Sequence, residues 1–363
     1  MDMGSLRIAT VFSGIGAFEQ ALQKLDIAYD IVFACDTGER YVEFGTDSLP
    51  TDFDKLPNSK REKIISAIYD KTKKPNYVKQ SYFANYKITN NKWFTDIRYI
   101  NGEEYKGKVD IFVGGSPCQS FSAIGKRKGL KDTRGTLFYD YARLINEIEP
   151  KVFIFENVPG MLNHDNGKTW DIIRNTFEEL GYKLFYKVLN AKDYGIPQDR
   201  KRLFVVGFRD KKVKFNFPNE KELTTSMFDY LEPKVETKHY LGKKGFEFVT
   251  SPKYRNRAKL NSKIIRTQKA NQQFNWNGDF VFEKLDKNKH TPDILQRAYI
   301  GKWEGKTGVC RQLSYRECLR LMGFSDNFKI VVPNVQAYRQ AGNSIVVNVL
   351  EELIKQIYEV KAL

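Results

Sequence analysis

An α/β fold, with a doubly wound and mainly parallel sheet and a second, smaller domain, is what this sequence predicts. Three observations predict it. Strand-like apolar runs alternate with amphipathic helical stretches up to about residue 210. The first such strand ends in a glycine-bearing turn that opens a helix, the usual start of a β-turn-α-β unit. Beyond residue 210 the alternation stops, and lysine, asparagine, glutamine and aromatics dominate as far as about residue 310.

Residues 6–12 (LRIATVF) read as a buried strand, Gly14 and Gly16 follow, and FEQALQKL has helical spacing. Residues 30–35 (DIVFAC) read as a second strand ending at Asp36. The polar stretch 45–92 exceeds the length of an ordinary connection, about 15 residues at most, so it reads as an insertion with a helix near 60–71. Further strands are expected at 109–113, 151–155, 182–189 and 202–208, with helices at 136–148 and 169–180. Helical spacing returns at 314–322 and 344–359. No internal repeat or low-complexity tract interrupts the chain.

Of the 363 residues 41% are hydrophobic and 14% aromatic, enough to bury a core. Lysine and arginine total 60 against 44 acidic residues, a net charge of +16. That charge calls for a polyanionic partner, nucleic acid first and an anionic membrane surface second. No apolar run reaches the about 18 residues of a membrane span, and the N-terminus lacks a signal-peptide pattern, so the chain reads as intracellular. Cys35, Cys118, Cys310 and Cys318 form no C-x-x-C pair, which excludes the usual zinc and thioredoxin patterns. With only three histidines, no metal site is expected.

The chemistry-bearing residues cluster at strand ends. Phe12-Ser13-Gly14-Ile15-Gly16 would let the backbone approach a ligand at a helix N-terminus. The third glycine of a dinucleotide fingerprint would fall at Glu19, which demotes a nicotinamide cofactor. Asp36 stands where an acidic residue commonly takes ribose hydroxyls. Gly114-Gly115-Ser116-Pro117-Cys118-Gln119 follows a strand and places a cysteine in a loop, not in the core. The basic, glycine-bearing stretch after it suits a lid over a polyanion. Glu156 ends the next strand at the same edge as Cys118, and Gln198-Asp199-Arg200-Lys201-Arg202 brings cations to that area.

Taken in order, FSGIG, Asp36, Asp96-Ile97, GGSPCQSFS, RGTLFYDYARLI, FENV, LNAKDYGIPQDRKR, RQLSYRECLRLMGF and QAGNSIVVNVL resemble the DNA (cytosine-5) methyltransferases, in particular the HhaI-type enzymes of bacterial restriction–modification systems. The resemblance spans the chain apart from 45–92 and about 215–310. It implies a Rossmann-like S-adenosylmethionine-dependent sheet over 1–214, a target-recognition domain over 215–310, a connecting region over 311–342 and a returning helix over 343–363. By the same resemblance Cys118 is the nucleophile toward cytosine C6, Glu156 contacts N3 and the exocyclic amine, and Arg202, with Arg200 beside it, contacts O2.

S-adenosylmethionine, leaving as S-adenosylhomocysteine, would be held by Phe12, Gly14, Gly16, Asp36, Asp96, Ile97, Pro117, Asn343 and Ser344, with no metal. Double-stranded DNA would meet Ser122, Ile124, Lys126, Arg127 and Arg134 in the lid. Base readers, chosen by chemistry alone, are Arg255, Arg257, Lys259, Arg266, Gln268, Gln272 and Gln273. The insertion is expected to modulate DNA affinity at most. The resemblance further implies a monomer in the bacterial cytoplasm, at the nucleoid, and a cognate endonuclease that shares the site without a stable complex. Thr37 follows Asp36 where close relatives carry a tryptophan stacked on adenine, and Ile124 replaces a serine that fills the gap left by a flipped base. A silent DNA-binding regulator, a tRNA methyltransferase and a nicotinamide oxidoreductase are the competing readings. The intact Cys118, Glu156 and Arg202 set, the large basic segment and the missing glycine argue against them in turn.

Overall fold

The computed structural model describes residues 5–45, 48–116, 137–271 and 276–363. They form two compact units. The first comprises Met1–Leu189, Lys201–Asn219 and Val349–Leu363, and the second Asn190–Arg200 and Glu220–Asn348.

The first unit is built on a seven-stranded sheet: β1 (Leu6–Val11), β2 (Tyr29–Cys35), β3 (Trp93–Phe94), β4 (Ile111–Gly114), β5 (Val152–Asn157), β6 (Lys183–Asn190) and β7 (Lys201–Phe208). Their spatial order is β3-β2-β1-β4-β5-β7-β6. β1 pairs parallel with β2 and β4, and β4 pairs parallel with β5. β7 runs antiparallel to β5. The sequence led us to expect a mainly parallel sheet, and β7 is the departure. The stretch between β6 and β7 contains a 3-10 turn (Ala191–Tyr194) and no α-helix, so it is too short to carry a parallel crossover.

Helices α1 (Ala17–Lys24), α2 (Asn58–Asp70), α3 (Tyr77–Asn85), α4 (Leu137–Ile148) and α5 (Lys168–Glu179) accompany the sheet. α4 buries Phe138, Tyr141, Ala142, Leu144, Ile145 and Ile148, the spacing of one helix face. Its aromatics meet those of β5 and α5: Tyr141 lies 5.2 Å from Phe155 and Phe138 lies 5.5 Å from Phe177, centroid to centroid. Within α1, Glu19 is 1% exposed. Its Oε1 accepts from Thr10 Oγ1 at 3.1 Å and from the Tyr82 hydroxyl at 2.5 Å. Burial pushes this carboxyl above its ordinary range, and the Tyr82 and Thr10 hydrogen bonds only partly oppose that.

The insertion folds around a small core of Phe53, Ile65 and Tyr69, backed by Val42, Phe44, Leu56 and Tyr99. The inward stripe of α2 is Asn58, Glu62, Ile65 and Tyr69, and its three polar members bond to the segment 95–101. These contacts are to the loops after β2 and β3, a setting the sequence reading did not foresee.

The second unit holds a four-stranded sheet of β8 (Ala258–Leu260), β9 (Gly278–Lys284), β10 (Gly301–Trp303) and β11 (Lys306–Gln312), in the order β10-β11-β9-β8. The β10–β11 hairpin turns on Glu304 and Gly305, at φ 46° and 74°, the sign a tight two-residue hairpin requires. Helices α6 (Lys243–Thr250), α7 (Pro292–Arg297), α8 (Tyr315–Arg320) and α9 (Asn334–Asn343) surround it. Residues 311–348, expected as a connecting region and the start of a returning helix, belong to this unit. Buried Arg311 is the reason. Its guanidinium donates to Glu317 on α8 at 2.8 and 2.9 Å and to Glu283 on β9 at 2.7 Å. Burial alone would push the Glu283 carboxyl up, but Arg311, Lys289 and His290 outweigh it and hold the group at about 2.

Arg311→Ala should therefore take the shared guanidinium from two buried carboxylates and destabilise the chain by about 3–5 kcal/mol, read as a lower urea midpoint. An unchanged midpoint would refute this account of the second unit.

Glu19→Gln tests the first unit. The folded pKa of Glu19 is raised, so its stability term is full below the unfolded value of about 4.3 and is lost as pH rises through the folded value. Glutamine does not titrate. The stability of the variant relative to wild type should grow from pH 5 to pH 8 in urea denaturation, and a constant difference would contradict the assignment.

Candidate active site

β1, β2, β4 and β5 are parallel, so their carboxyl ends share one edge, and the strand order reverses between β1 and β4. A crevice at such a reversal is where open α/β sheets bind ligands. The antiparallel β7 brings its amino end, with Arg202, to the same edge.

The loop after β1 is bent by positive φ at Phe12 (52°), Gly14 (53°) and Gly16 (78°). For a phenylalanine that conformation costs about 1–3 kcal/mol, and such strain gathers at ligand sites. A Cβ on Gly16 would fall 2.2 Å from the Tyr86 ring, so only glycine fits. The Tyr86 hydroxyl donates to the carbonyls of Ile15 and Gly16 at 3.0 and 2.6 Å. Asp36 accepts the Gly14 N–H at 2.9 Å and the Gly38 N–H at 2.7 Å, one on each oxygen. Burial raises its pKa, and these two N–H groups temper the rise. Each carboxylate oxygen keeps a second lone pair for a ligand hydroxyl. Off Gly14 nothing lies nearer than 4.0 Å to an added Cβ. An acceptor at the end of β2, a strained glycine loop and open space beside it fit a nucleoside cofactor.

Asp96 caps the 3-10 turn Ile97–Tyr99. Its carboxylate accepts from Arg98 Nη2 at 2.6 Å and from the Tyr69 hydroxyl at 2.8 Å. Ile97 is buried beside it. Asn343, at the end of α9, and Ser344, whose hydroxyl donates to the Ile345 carbonyl at 3.1 Å, belong to the second unit.

At the β4–β5 edge a Cβ on Gly115 would lie 2.5 Å from the Glu156 carbonyl oxygen and 3.1 Å from its Oε2. The Glu156 carboxyl thus stands against the chain three residues before Cys118. Arg202 Nε pairs with Glu156 Oε1 at 3.1 Å, both side chains being largely buried. Asn157 Nδ2 donates to the Ser116 carbonyl at 2.8 Å, and the buried Ser116 hydroxyl has no hydrogen-bond partner among the described residues. The structure joins Glu156 to Arg202 but gives Arg200 another task. Arg200 is buried in the second unit, where its guanidinium donates to the carbonyls of Gln268, Gly342 and Ser344 at 2.8, 3.1 and 2.8 Å. Arg200, expected beside Arg202 in the same motif, thus ties three backbone segments together.

Pro117, Cys118, Ser122, Ile124, Lys126, Arg127 and Arg134 lie outside the described residues, as do Gln272 and Gln273. The other three cysteines are buried and free. Burial pushes the thiols of Cys35 and Cys318 well up and that of Cys310 to about 12, none of which suits a nucleophile. Among the base-reading candidates Arg255, Arg257 and Lys259 are exposed. Arg266 is engaged by Asp279 and three carbonyls, and Gln268 is buried on Gln198 and Cys318, so neither offers a free edge to a base. Sequence reasoning missed Tyr69, Asn76, Tyr82 and Tyr86. The helical spacing of Asn58, Glu62, Ile65 and Tyr69 was the signal that could have found the first of them.

Among the described residues no helix is long and apolar enough to cross a membrane, and no cluster of three or more metal-ligating side chains occurs. The chain is 38% identical to the Type II methyltransferase M.HhaI of Haemophilus parahaemolyticus over 270 residues, 72% of this chain and 79% of that one. It is 35% identical to M.SsoII of Shigella sonnei over 81% of this chain and 73% of that one. Its fold matches the crystal structure of the S. pombe Dnmt2 methyltransferase with a TM-score of 0.67 at 19% identity, covering 98% of each chain. The fold, with its seven-stranded sheet, is thus that of the Dnmt2 methyltransferase. The profile described as C-5 cytosine-specific DNA methylase matches residues 58–359, and the chain belongs to that family.

Proposed function

We propose that this DNA (cytosine-5) methyltransferase modifies a cytosine within a specific duplex sequence, through a covalent bond between Cys118 and C6 of a flipped-out base. The Glu156–Arg202 pair carries the reading. It stands at the sheet's ligand edge, against the backbone that leads to Cys118. With Cys35, Cys310 and Cys318 buried, Cys118 is also the cysteine left for the task.

S-adenosylmethionine, when bound, supplies an electrophilic methyl group on a sulfonium. The chain's residues do the rest. Cys118 would attack C6 as the thiolate, the C5–C6 π pair moving to C5, which takes the methyl group; loss of the C5 proton to a base would then re-form that double bond and expel the thiolate. Glu156 would hold N3 and the exocyclic amine, giving a proton where negative charge gathers, and Arg202 would steady both Glu156 and the base's O2. Phe12, Gly14, Gly16 and Asp36 would seat the nucleoside, with Asp96 and Ile97 at the adenine. C5 and C6 of a stacked base are out of reach, so the cytosine must leave the duplex. We assign reading of the flanking bases to the second unit, and a protective role beside a restriction endonuclease by analogy with the Type II relatives.

Bisulfite sequencing of DNA from cells expressing the chain should reveal one methylated cytosine in one sequence context, and no such mark would end the proposal. Cys118→Ser should erase the mark while the purified protein still binds duplex DNA, and Glu156→Gln should lower kcat by about 10²-fold or more. Methyl transfer by the serine variant would remove Cys118 from its role.

The net charge of +16 makes a further prediction. Log affinity for duplex DNA should fall with log salt by about 0.9 per phosphate contacted. A flat response in fluorescence anisotropy would exclude duplex DNA as the partner.

A further inference from the structure

The inward polar side chains between β2 and α3 converge on the two loops that carry Asp36 and Asp96. Tyr69 touches both. Its hydroxyl donates to Asp96 Oδ2 at 2.8 Å, and the Arg40 guanidinium lies over its ring at 5.2 Å. Arg40 belongs to the Asp36 loop: its Nε donates to the Thr37 carbonyl at 3.0 Å, and its Nη1 pairs with Asp70, the last residue of α2, at 3.1 Å. About two turns earlier in α2, Glu62 takes the N–H and the hydroxyl of Thr95 at 2.9 and 2.6 Å, beside Asp96.

Asn76 closes the other side. Its Nδ2 donates to the Asp36 carbonyl at 3.1 Å while its Oδ1 accepts the Lys79 N–H at 2.8 Å. A Cβ on Gly38 would fall 2.1 Å from that Oδ1, so Asn76 is pressed against the turn whose N–H holds the Asp36 carboxylate. A loop held in this way loses little conformational freedom when a ligand arrives, and affinity gains accordingly.

We infer that α2 and Asn76 form a clamp that presets the Asp36 and Asp96 loops, with Tyr69, Glu62 and Asn76 as positioning residues for S-adenosylmethionine. The inference rests on the reading that these loops line the cofactor site.

The test uses the full chain and calorimetry with S-adenosylmethionine and S-adenosylhomocysteine, alongside kinetics on duplex DNA. Tyr69→Phe removes one hydroxyl and keeps the ring. It should weaken both ligands at least about fivefold, with KM for the donor rising in step and kcat at saturating donor falling far less. Asn76→Ala should do the same. Because Asn76 also caps α3, its fold is followed by urea denaturation, and Tyr69→Phe carries the decision. Asp36→Ala serves as reference. If it weakens binding and Tyr69→Phe does not, the clamp is refuted. A change in DNA affinity alone in Tyr69→Phe refutes it equally. If Asp36→Ala itself binds both ligands normally, the cofactor-site reading fails first.

Discussion

β7 enters the sheet antiparallel to β5, and the candidate site depends on that reversal. The register sets Glu156 opposite Phe204 and Asn157 opposite Leu203, so Arg202 falls just past the end of β5. From there its guanidinium meets Glu156. A parallel β7 would carry Arg202 to the opposite edge, about 26 Å away along eight residues of strand. Glu156 would then face the crevice without a cation. The same edge receives the glycine loop after β1 and the Asp36 turn, because β1 and β2 end there in parallel. One change of strand direction thus brings the Glu156–Arg202 pair to the edge that carries the glycine loop and the Asp36 turn.

Much of this was legible in the sequence, for physical reasons. β1, β2, β4 and β5 are apolar runs closed by glycine or a polar residue, the pattern of strands buried on both faces. The turn at Gly14 and Gly16 announces itself because few other residues tolerate its backbone. What escaped was written in another pattern. α2 turns two polar side chains and a tyrosine inward, so a search for apolar periodicity sees only a polar stretch. β3 has two residues, too few for any periodicity. Arg200 and Arg202 read alike in a basic run, yet one is buried among carbonyls and the other pairs with a carboxylate. Gln268 looked like a base reader for its chemistry, and its burial could be known only from the packing of α8.

The second unit uses charge as cement. Glu283 gathers Arg311, Lys289, His290 and the Tyr240 hydroxyl, all within 3.0 Å. His290 accepts the Asp286 N–H on Nδ1, which leaves the proton on Nε2 facing Glu283. Each Glu283 oxygen accepts two of these four donors, the condition under which a buried carboxylate is tolerable. A unit pinned at its centre in this way can vary its exposed residues, Arg255, Arg257 and Lys259 among them, without loosening the sheet that presents them.

The burial of Cys35, Cys310 and Cys318 has a practical side. In the native state a thiol reagent finds three sulfurs shut away and kept protonated by their surroundings, so covalent labelling becomes a counting device. Label taken up before denaturation then comes from elsewhere than these three positions, with no need to engineer them away. A second count after unfolding supplies the total, and the ratio separates intact protein from damaged protein independently of any turnover measurement.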